Sequence, residues 1–519
     1  MSRKPSFLII FSLLILSFAG APLAGLEIAP LDSEIQPDAV RADDEIFPRG
    51  PTVHMVNKTS AMIYWETKTP TNATVNYGNA SDNLDSSVSN PTSSKEHSIW
   101  IDGLEAGTTV YYEAVSDGTS SEVYYFKTEP EDGTPFKLIV MGDPQPLQSM
   151  APGQSQIFRD FVDMARNEEP HLVIIAGDFV HEVSATDETY NEIAWGNYLN
   201  VSDKLGHYTP IYGCIGNHDT RPGETYADWF LDSFHQYGGN STWFSFDYAG
   251  VHFTFLDTEV PETPRRITGE QYDWLVNDLQ STDKEIKYVV AHQPFYPVAH
   301  IDSAIDANKT ERARLQNLFE EENVTMFLSG HDHVFQRITV NGVVHVTSSG
   351  VGPKLYRTPW GGDYNHYVRL NTSPRRIEME TVNKDGDVTE TYTLPYEGPI
   401  EIAYREIANT SSALPDEAPE FYFSEVPEEK YFSWDGGDNS TTLGTLPDTN
   451  GLHTLDVYAK GSNGEWTHKY YEFTTVQGID TGTTTLPPDG GIDPLVIVGV
   501  IGIAAVIILV IVVYRWKTS

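Results

Sequence analysis

Five short polar stretches in the middle of the chain carry the side chains that could do chemistry. Each follows an apolar run that is typical of a buried strand. The stretches are Gly142-Asp143-Pro144-Gln145, Gly177-Asp178, Gly216-Asn217-His218-Asp219, Ala291-His292-Gln293-Pro294 and Gly330-His331-Asp332-His333. Carboxylate, amide and imidazole groups bind metals such as iron, manganese and zinc. Ligands bind at the carboxyl ends of strands in an open α/β sheet, so the five stretches are predicted to meet in one crevice.

The combined donor set favours a pair of catalytic metal ions. Two Asp, one Asn, three His and Gln145 provide mixed oxygen and nitrogen ligands, and two cations need one carboxylate between them. The thiolates of a structural zinc site are missing from the set. Taken singly, Gly-Asp and Gly-Asn are ordinary turns. His331 and His333 would point to opposite faces of a continuing strand, so they share a site only if the chain turns, which Gly330 would permit.

The elements that must position these residues alternate between strand and helix from Phe136 to about Val382, which predicts an α/β domain. The predicted strands span residues 137–141, 172–176, 211–215, 288–291 and 325–328, with a hairpin at 243–248 and 251–257. The predicted helices span residues 154–166, 226–234, 269–279 and 310–321.

Short alternating segments separated by turns lie on both sides of this domain. Residues 48–130 resemble a fibronectin type III β-sandwich, on the pattern Asp102-Gly103-Leu104 followed by Thr109-Val110-Tyr111-Tyr112. Residues 395–476 resemble an immunoglobulin-like β-sandwich. An acidic linker at 25–47 and a stalk rich in Thr, Pro and Gly at 477–493 complete the predicted organisation.

The two ends of the chain predict an exported protein held at a membrane. Residues 1–24 carry Arg3 and Lys4, an apolar run and then small residues, as secretory signal peptides do. Residues 495–514 are uncharged and long enough to span a bilayer, with a buried core helix as the alternative. Arg515 and Lys517 follow and predict a cytoplasmic tail. The bulk of the chain is therefore expected outside the cell, with the cell membrane as a partner.

The composition narrows the function classes. The 519 residues carry a formal net charge of −41, which repels nucleic-acid polymers and excludes them as expected partners. The single cysteine, Cys214, allows no intrachain disulfide and is predicted to be a buried strand residue.

Residues 134–383 resemble the calcineurin-like metallophosphoesterases, whose motifs all occur in order in the five stretches above. The preceding sandwich and the sequence from Gly330 to Arg337 are most similar to the purple-acid-phosphatase-like branch. The resemblance implies an αββα sandwich for the central domain. Together with the patterns above, it predicts a multidomain chain in which this core is flanked by two β-sandwich domains and followed by a C-terminal transmembrane helix. It also implies two metal ions, with iron, manganese and zinc left open.

The resemblance assigns a role to each residue. It implies that Asp178 bridges the metals. Asp143 and His333 would complete one metal site. Asn217, His292 and His331 would complete the other. His218 would stabilise or protonate the leaving oxygen, with Asp219 as its orienter, while a water activated by the ions attacks phosphorus.

Two positions depart from the family pattern. Gln145 stands where many members have a His, and either ligates a metal or contacts substrate or water. His181 stands where purple enzymes have a Tyr, so no tyrosinate–iron colour is expected, and its ring either ligates or contacts substrate.

The predicted function is a membrane-anchored, extracytoplasmic phosphoesterase with two metal ions, acting on phosphomonoesters. A phosphodiesterase and a cell-surface binding or adhesion protein with an inert phosphoesterase-like domain are the alternatives. The sequence leaves open the substrate, the oligomeric state and whether sequons such as Asn200 and Asn240 are glycosylated. Of the cations beside the motifs, Arg221, Arg337 and Lys354, one could bind substrate phosphate, with ion pairs as the alternative for each.

Overall fold

A computed structural model describes residues 46–223, 225–358, 362–405, 420–444, 447 and 451–475. The predicted signal peptide, stalk and C-terminal apolar run lie outside the described residues. Within the described part of the chain, no helix combines the length and apolarity needed to cross a membrane.

The first part of the chain folds into a six-stranded antiparallel sheet. Its strands are β1 (Arg49–His54), β2 (Ser60–Gly78), β3 (Ser86–Asp102), β4 (Thr109–Ser116), β5 (Thr119–Ser120) and β6 (Tyr124–Lys127). Strand β2 pairs with β1, β3 and β4, and β4 pairs with β5 and β6. Every second residue of β4 is buried, as expected for a strand with one face on a core. That core contains Trp65, Tyr112 and Phe126.

The central domain contains two further six-stranded sheets. Its strands are β7 (Phe136–Met141), β8 (Leu172–Ile175), β9 (Ile211–Gly213), β10 (Phe244–Tyr248), β11 (Val251–Phe255), β12 (Ile286–Val290), β13 (Met326–Ser329), β14 (Phe335–Val340), β15 (Val343–Ser348), β16 (His366–Ser373), β17 (Arg376–Asn383) and β18 (Val388–Leu394). One sheet has the order β18-β17-β16-β7-β8-β9, and the other has the order β10-β11-β12-β13-β15-β14. Strands β7, β8 and β9 are parallel, and so are β11, β12, β13 and β15.

Helices cover the outer faces of both sheets. They are α1 (Gln156–Asn167), α2 (Glu188–Gly206), α3 (Asp228–Ser233), α4 (Gly269–Ser281) and α5 (Lys309–Glu321), with short 3-10 helices at Asn217–Asp219 and Ile305–Ala307. Phe158 of α1 and Trp195 of α2 pack on the first sheet, while Leu275 of α4 and Leu315 of α5 pack on the second. The inner faces of the two sheets share one apolar core. The domain is thus layered αββα, as the resemblance implied.

Helix α2 also joins the central domain to the first sheet. The backbone N–H of Gly50 donates to Asp203 Oδ2 at 2.9 Å, and the Tyr112 hydroxyl donates to the His207 carbonyl at 2.7 Å. The Tyr124 ring stacks on His207 with centroids 4.1 Å apart. The first sheet is therefore docked on the helix that covers β8 and β9.

Short strands return at the C-terminal side. They are β19 (Ile402–Arg405), β20 (Glu420–Phe423), β21 (Glu429–Trp434), β22 (Gly451–Lys460) and β23 (Trp466–Thr475). A two-stranded sheet of β19 and β20 and a three-stranded sheet of β21, β22 and β23 share a small core that includes Phe423, Phe432 and Leu455. Arg312 of α5 donates to Glu420 Oε2 at 3.1 Å and so ties this part to the central domain.

Candidate metal centre

Strand ends from both central sheets converge on one buried point. Asp143, Asp178 and Asn217 lie just beyond β7, β8 and β9 of the first sheet. His292 lies just beyond β12 of the second sheet, yet its Nε2 is 3.3 Å from Asp178 Oδ1. His331 and His333, which follow β13, reach the same place. The crevice predicted from the strand ends is present, and it lies between the two sheets.

Two groups of ligand atoms share one residue. Asp178, His292 and His331 form one group, and Asp143, Asp178 and His333 form the other, with all donor atoms of a group within 4.8 Å of one another. Asp178 belongs to both groups, so its carboxylate can bridge two ions.

The first group presents acceptor atoms to one another. His292 Nδ1 donates to the Ala176 carbonyl at 2.8 Å, which leaves Nε2 as the nitrogen that carries a lone pair when the ring is neutral. That Nε2 lies 3.1 Å from Asn217 Oδ1, and the same amide oxygen is 3.0 Å from His331 Nδ1. Ligands about 2.1 Å from one ion are separated by about 3.0–3.4 Å in octahedral or tetrahedral geometry. The spacing and donor types therefore fit a cation.

The second group also brings imidazole, carboxylate and amide atoms together. His333 Nδ1 donates to the Lys354 carbonyl at 2.9 Å, which leaves Nε2 as an acceptor 3.6 Å from Asp143 Oδ1. Gln145 Nε2 is 3.1 Å from His333 Nε2, and Gln145 Oε1 is buried without a hydrogen-bond partner among the described residues. Rotation of the amide exchanges the two atoms and would turn the carbonyl oxygen towards the same cation. Both roles predicted for Gln145 are compatible with this position.

Positive charge is needed to stabilise the ionised forms of the buried Asp143 and Asp178 carboxylates. Burial raises the pKa of Asp143, and the charge of Asp178 adds to that effect. Burial opposes ionisation of Asp178 as well, but its neighbours His292 and His218 hold its pKa below the usual value. Bound cations would compensate both carboxylates at once.

The backbone turns sharply at four of the ligands. The φ angles are 58° at Asp143, 59° at Asp178, 71° at His331 and 51° at His333, all in the left-handed region. His331 and His333 thus make the turn that brings both rings to one site. The expected turn is present, but the residues with positive φ are His331 and His333 and not Gly330. Gly330 is needed for another reason, because a Cβ there would lie 2.4 Å from the Ala176 carbonyl oxygen.

His218 stands beside the metal ligands with one ring nitrogen available. Its backbone N–H donates to Asp178 Oδ1 at 2.9 Å, and its Nδ1 contacts the His181 carbonyl oxygen. The ring is therefore fixed through Nδ1, and Nε2 is the atom that can meet a substrate oxygen. The His181 ring is in neither group of metal-binding side chains found among the described residues.

Asp219 does not orient His218, and this correction changes its role. Its Oδ2 accepts the backbone N–H groups of Asp178 and Gly216, each at 2.8 Å. Its Oδ1 accepts from Phe179 N at 2.8 Å and Val180 N at 3.4 Å. Asp219 is buried and connects the loop of the bridging Asp178 to the loop of Asn217. It is a positioning residue for the ligands.

Of the other residues considered from the sequence, His300 lies beside the candidate ligands, whereas His366, His252 and Cys214 have structural positions. The His300 ring lies 4.6 Å from that of His331 by centroids, and Asp332 accepts its Nδ1–H at 3.1 Å. His366 is buried against Gly350 and donates Nδ1–H to the Tyr364 carbonyl, so it is structural. His252 is held between Asp247 and Asp278 in the hairpin. Cys214 is buried, as predicted.

Three residues that contact the candidate ligands or their loops were not identified from the sequence. Asp332, inside the last motif, accepts the backbone N–H groups of residues 298–300 and fixes the loop after His292. The Ser349 hydroxyl donates to Asp143 Oδ2. The Tyr356 ring lies 5.3 Å from that of His333. A polar residue inside a ligand motif was a usable signal for Asp332, whereas Ser349 and Tyr356 lie on a loop that carries no motif.

Comparisons with known proteins agree with this centre. The calcineurin-like phosphoesterase family matches residues 136–335, and the purple acid phosphatase N-terminal domain matches residues 48–128. Purple acid phosphatase 23 of Arabidopsis thaliana is 26% identical over 66% of this chain and 75% of its own length. Probable purple acid phosphatase 20 of the same plant is 24% identical over 57% of this chain and 70% of its own length.

Solved structures share the fold. A purple acid phosphatase, PPD1, from yellow lupin seeds aligns with a TM-score of 0.55 and 17% identity over 67% of this chain and 74% of its own. The structure of PhoD aligns with a TM-score of 0.52 and 14% identity over 84% of this chain and 94% of its own. The chain therefore carries a calcineurin-like phosphoesterase domain behind a purple acid phosphatase N-terminal domain, and it is a metal-dependent phosphoester hydrolase with a two-metal centre.

Proposed function

We propose that this hydrolase is a phosphomonoesterase that acts outside the cell, anchored to the membrane by residues 495–514. The observation that carries the chemical part is the meeting of acceptor atoms from Asp143, Asp178, Asn217, His292, His331 and His333 in one buried crevice. The word phosphatase in the names of the relatives supports a monoester. The signal-like start and the apolar run near the end support the location.

The chain's own residues divide the work of the reaction. When bound, the two ions supply Lewis-acid chemistry that activates water and offsets the charge on the phosphoryl group. Asp178 would be the ligand common to both ions, and Asn217, His292, His331, Asp143 and His333 would complete the two sites. His218 Nε2 hydrogen-bonds or protonates the leaving oxygen, because the His181 carbonyl fixes the opposite ring nitrogen. Asp143, Asp178, His292 and His333 are buried, whereas Asn217 and His331 are half-buried.

The test compares a monoester with a diester on the purified ectodomain. p-Nitrophenyl phosphate should be hydrolysed, a chelator should abolish the activity, and Mn²⁺, Zn²⁺ or iron should restore it. Asp178→Asn should reduce kcat by at least about 100-fold, because it weakens both metal sites. Asp163→Asn, on the exposed face of α1, is the matched control.

Three results would overturn parts of the proposal. Full turnover by Asp178→Asn would remove the two-metal mechanism. Faster hydrolysis of bis(p-nitrophenyl) phosphate would make the diesterase alternative correct. If residues 495–514 anchor the protein, the full chain should be found in the membrane fraction. A chain truncated after residue 476 should be released into the medium. A full-length chain recovered in the soluble cell fraction would refute the anchor.

The binding-protein alternative has a clear discriminator. An inert domain would be free to lose ligands, whereas six candidate ligand side chains remain in place here and the departures are confined to Gln145 and His181. Metal analysis of the purified protein separates the two, because a protein that binds no metal from a defined buffer could not be the proposed enzyme.

A further inference from the structure

The loop after β15 forms one wall of the metal centre. The Ser349 hydroxyl donates to Asp143, and the Lys354 carbonyl accepts the Nδ1–H of His333 at 2.9 Å. The backbone N–H of Tyr356 donates to the His333 carbonyl at 3.2 Å. Residues 349–356 are therefore held against the ligands at several points, and the side chains on this loop stand at a fixed place beside the site.

One of these side chains, that of Lys354, carries a positive charge on the exposed surface of this loop. Lys354 is exposed, and its Nζ lies 4.7 Å from the centroid of the Tyr356 ring. The Tyr356 ring lies 5.3 Å from that of His333 and 4.8 Å from that of His300. These two contacts in series place Nζ within about 10 Å of the His333 ring, which is about one Debye length at 0.1 M salt, so the ammonium charge is only partly screened at the site.

The other cations near the motifs are already neutralised. Arg221 pairs with Glu188 and with Asp228 at 3.5 Å. Arg337 pairs with Glu390 at 2.8 Å and Glu401 at 3.0 Å. For Lys354, no carboxylate within salt-bridge distance occurs in the described ranges of the chain. Of the three cations singled out from the sequence, Lys354 is thus the one whose charge remains open to a ligand.

A free cation is significant because the chain as a whole is so acidic. A net charge of −41 repels ligands with several negative charges. In the proposed reaction the reacting phosphoryl group would meet the two ions and His218, which would leave Lys354 for a different part of the substrate. The Tyr356 ring holds the ammonium group by a cation–π contact, which leaves its N–H groups able to donate.

We propose that Lys354 binds a second anionic group of the substrate, and that Tyr356 positions it. The preferred substrates would then be phosphate monoesters that carry another phosphate or a carboxylate close to the scissile ester. This inference rests on the proposed phosphomonoesterase function for the hydrolytic step, but ligand binding to the metal-loaded protein tests it separately.

The binding test uses phosphonates, which resist hydrolysis. Methylphosphonate carries one anionic group, 3-phosphonopropionate adds a carboxylate, and propane-1,3-diphosphonate adds a second phosphonate. Calorimetry on the metal-loaded ectodomain gives the affinity ratio of each two-group ligand to methylphosphonate. Lys354→Gln should lower that ratio about fivefold, and 1 M NaCl should remove the difference between the wild type and the variant. The two ligands distinguish a carboxylate from a phosphate as the preferred second group.

Two control variants make the result specific. Lys354→Arg should keep most of the ratio because it keeps the charge. Lys384→Gln should keep all of it, because Lys384 pairs with Asp385 in an exposed turn. An unchanged ratio in Lys354→Gln, or an equal loss of affinity for all three ligands, would overturn the proposal. Because binding is measured without turnover, a protein that binds in this way but hydrolyses no monoester would refute only the proposed reaction.

Discussion

Replacing Asp219 by Asn distinguishes a residue that holds the metal ligands from one that acts on His218. The carboxylate accepts four backbone N–H groups and makes no contact with the His218 ring in the described structure. An Asn keeps the size of the side chain but places an NH₂ group against backbone donors on one side. The change should therefore loosen the loops of Asp178 and Asn217.

The expected size follows from the lost hydrogen bonds. Oδ2 accepts two bonds of 2.8 Å, and Oδ1 accepts one of 2.8 Å and one of 3.4 Å. Burial and the charge of Asp178 raise the pKa of Asp219, so each bond is given the lower value for a charged group, about 1.5 kcal/mol, and the loss of the two bonds on one side costs about 3 kcal/mol. Relief of the repulsion between Asp219 and Asp178 offsets part of this cost. Changes to groups that support metal ligands usually weaken metal affinity by about 10–100-fold, and we expect a value in that range.

The assay combines metal affinity with kinetics. Titration of metal-free protein in buffers of defined free Zn²⁺ or Mn²⁺ should show the weaker affinity of Asp219→Asn, with Asp163→Asn unchanged as the control. Saturating metal should restore most of kcat with the pH profile of the wild type. If Asp219→Asn instead bound metal normally and had a lower kcat with a shifted pH profile, Asp219 would act through His218 and the reasoning would be wrong.

Two further predictions concern packing and charge. Gly216→Ala should abolish metal binding and activity, because the new Cβ would lie 2.3 Å from Asp178 Oδ1, whereas Gly196→Ala in α2 meets no atom within 4 Å and should be tolerated. Burial alone would lower the pKa of His252, but Asp247 and Asp278 outweigh it and raise the pKa to about 9. The unfolded value is lower, about 6.5, so His252 stabilises the fold fully below that pH and loses this effect as the pH rises through about 9. The difference in melting temperature between the wild type and His252→Gln should therefore shrink from pH 6 to pH 10, and a constant difference would contradict it.

Local sequence patterns predicted the strands before the motifs, the hairpin and four helices of the central domain, but not its longest helix or strands β14 to β18. The strands before the motifs and helices α1, α3, α4 and α5 have clear apolar patterns and occur with small shifts at their ends. Helix α2 contains Gly196 and several Asn residues, which disfavour a helix. It is held by tertiary packing, with Trp195 and Tyr198 in the core and Asp203 bonded to Gly50. Such long-range support leaves no trace in a local pattern.

In the candidate site the ligand residues could be predicted from the sequence, but the contacts of the neighbouring side chains could not. The metal ligands were predictable because each motif follows a strand, and strand ends meet at the edge of a sheet. The role of Asp219 was not predictable, because adjacency to His218 in the chain suggested a contact that the 3-10 helix at Asn217–Asp219 does not make. The unpaired charge of Lys354 was equally hidden, since it depends on where the carboxylates of distant segments lie.

The strained backbone at the candidate ligands is held by contacts that the protein itself provides. Four non-glycine ligands adopt left-handed conformations, at a cost of about 1 kcal/mol or more each. Such strain persists only where other contacts fix the chain, and here those contacts come from the protein itself. Asp219 and Asp332 bind the backbone of the neighbouring loops, and Gly330 lets β13 approach Ala176 closely. Contacts within the protein therefore hold the ligand residues in place and keep their ligand atoms about 3 Å apart.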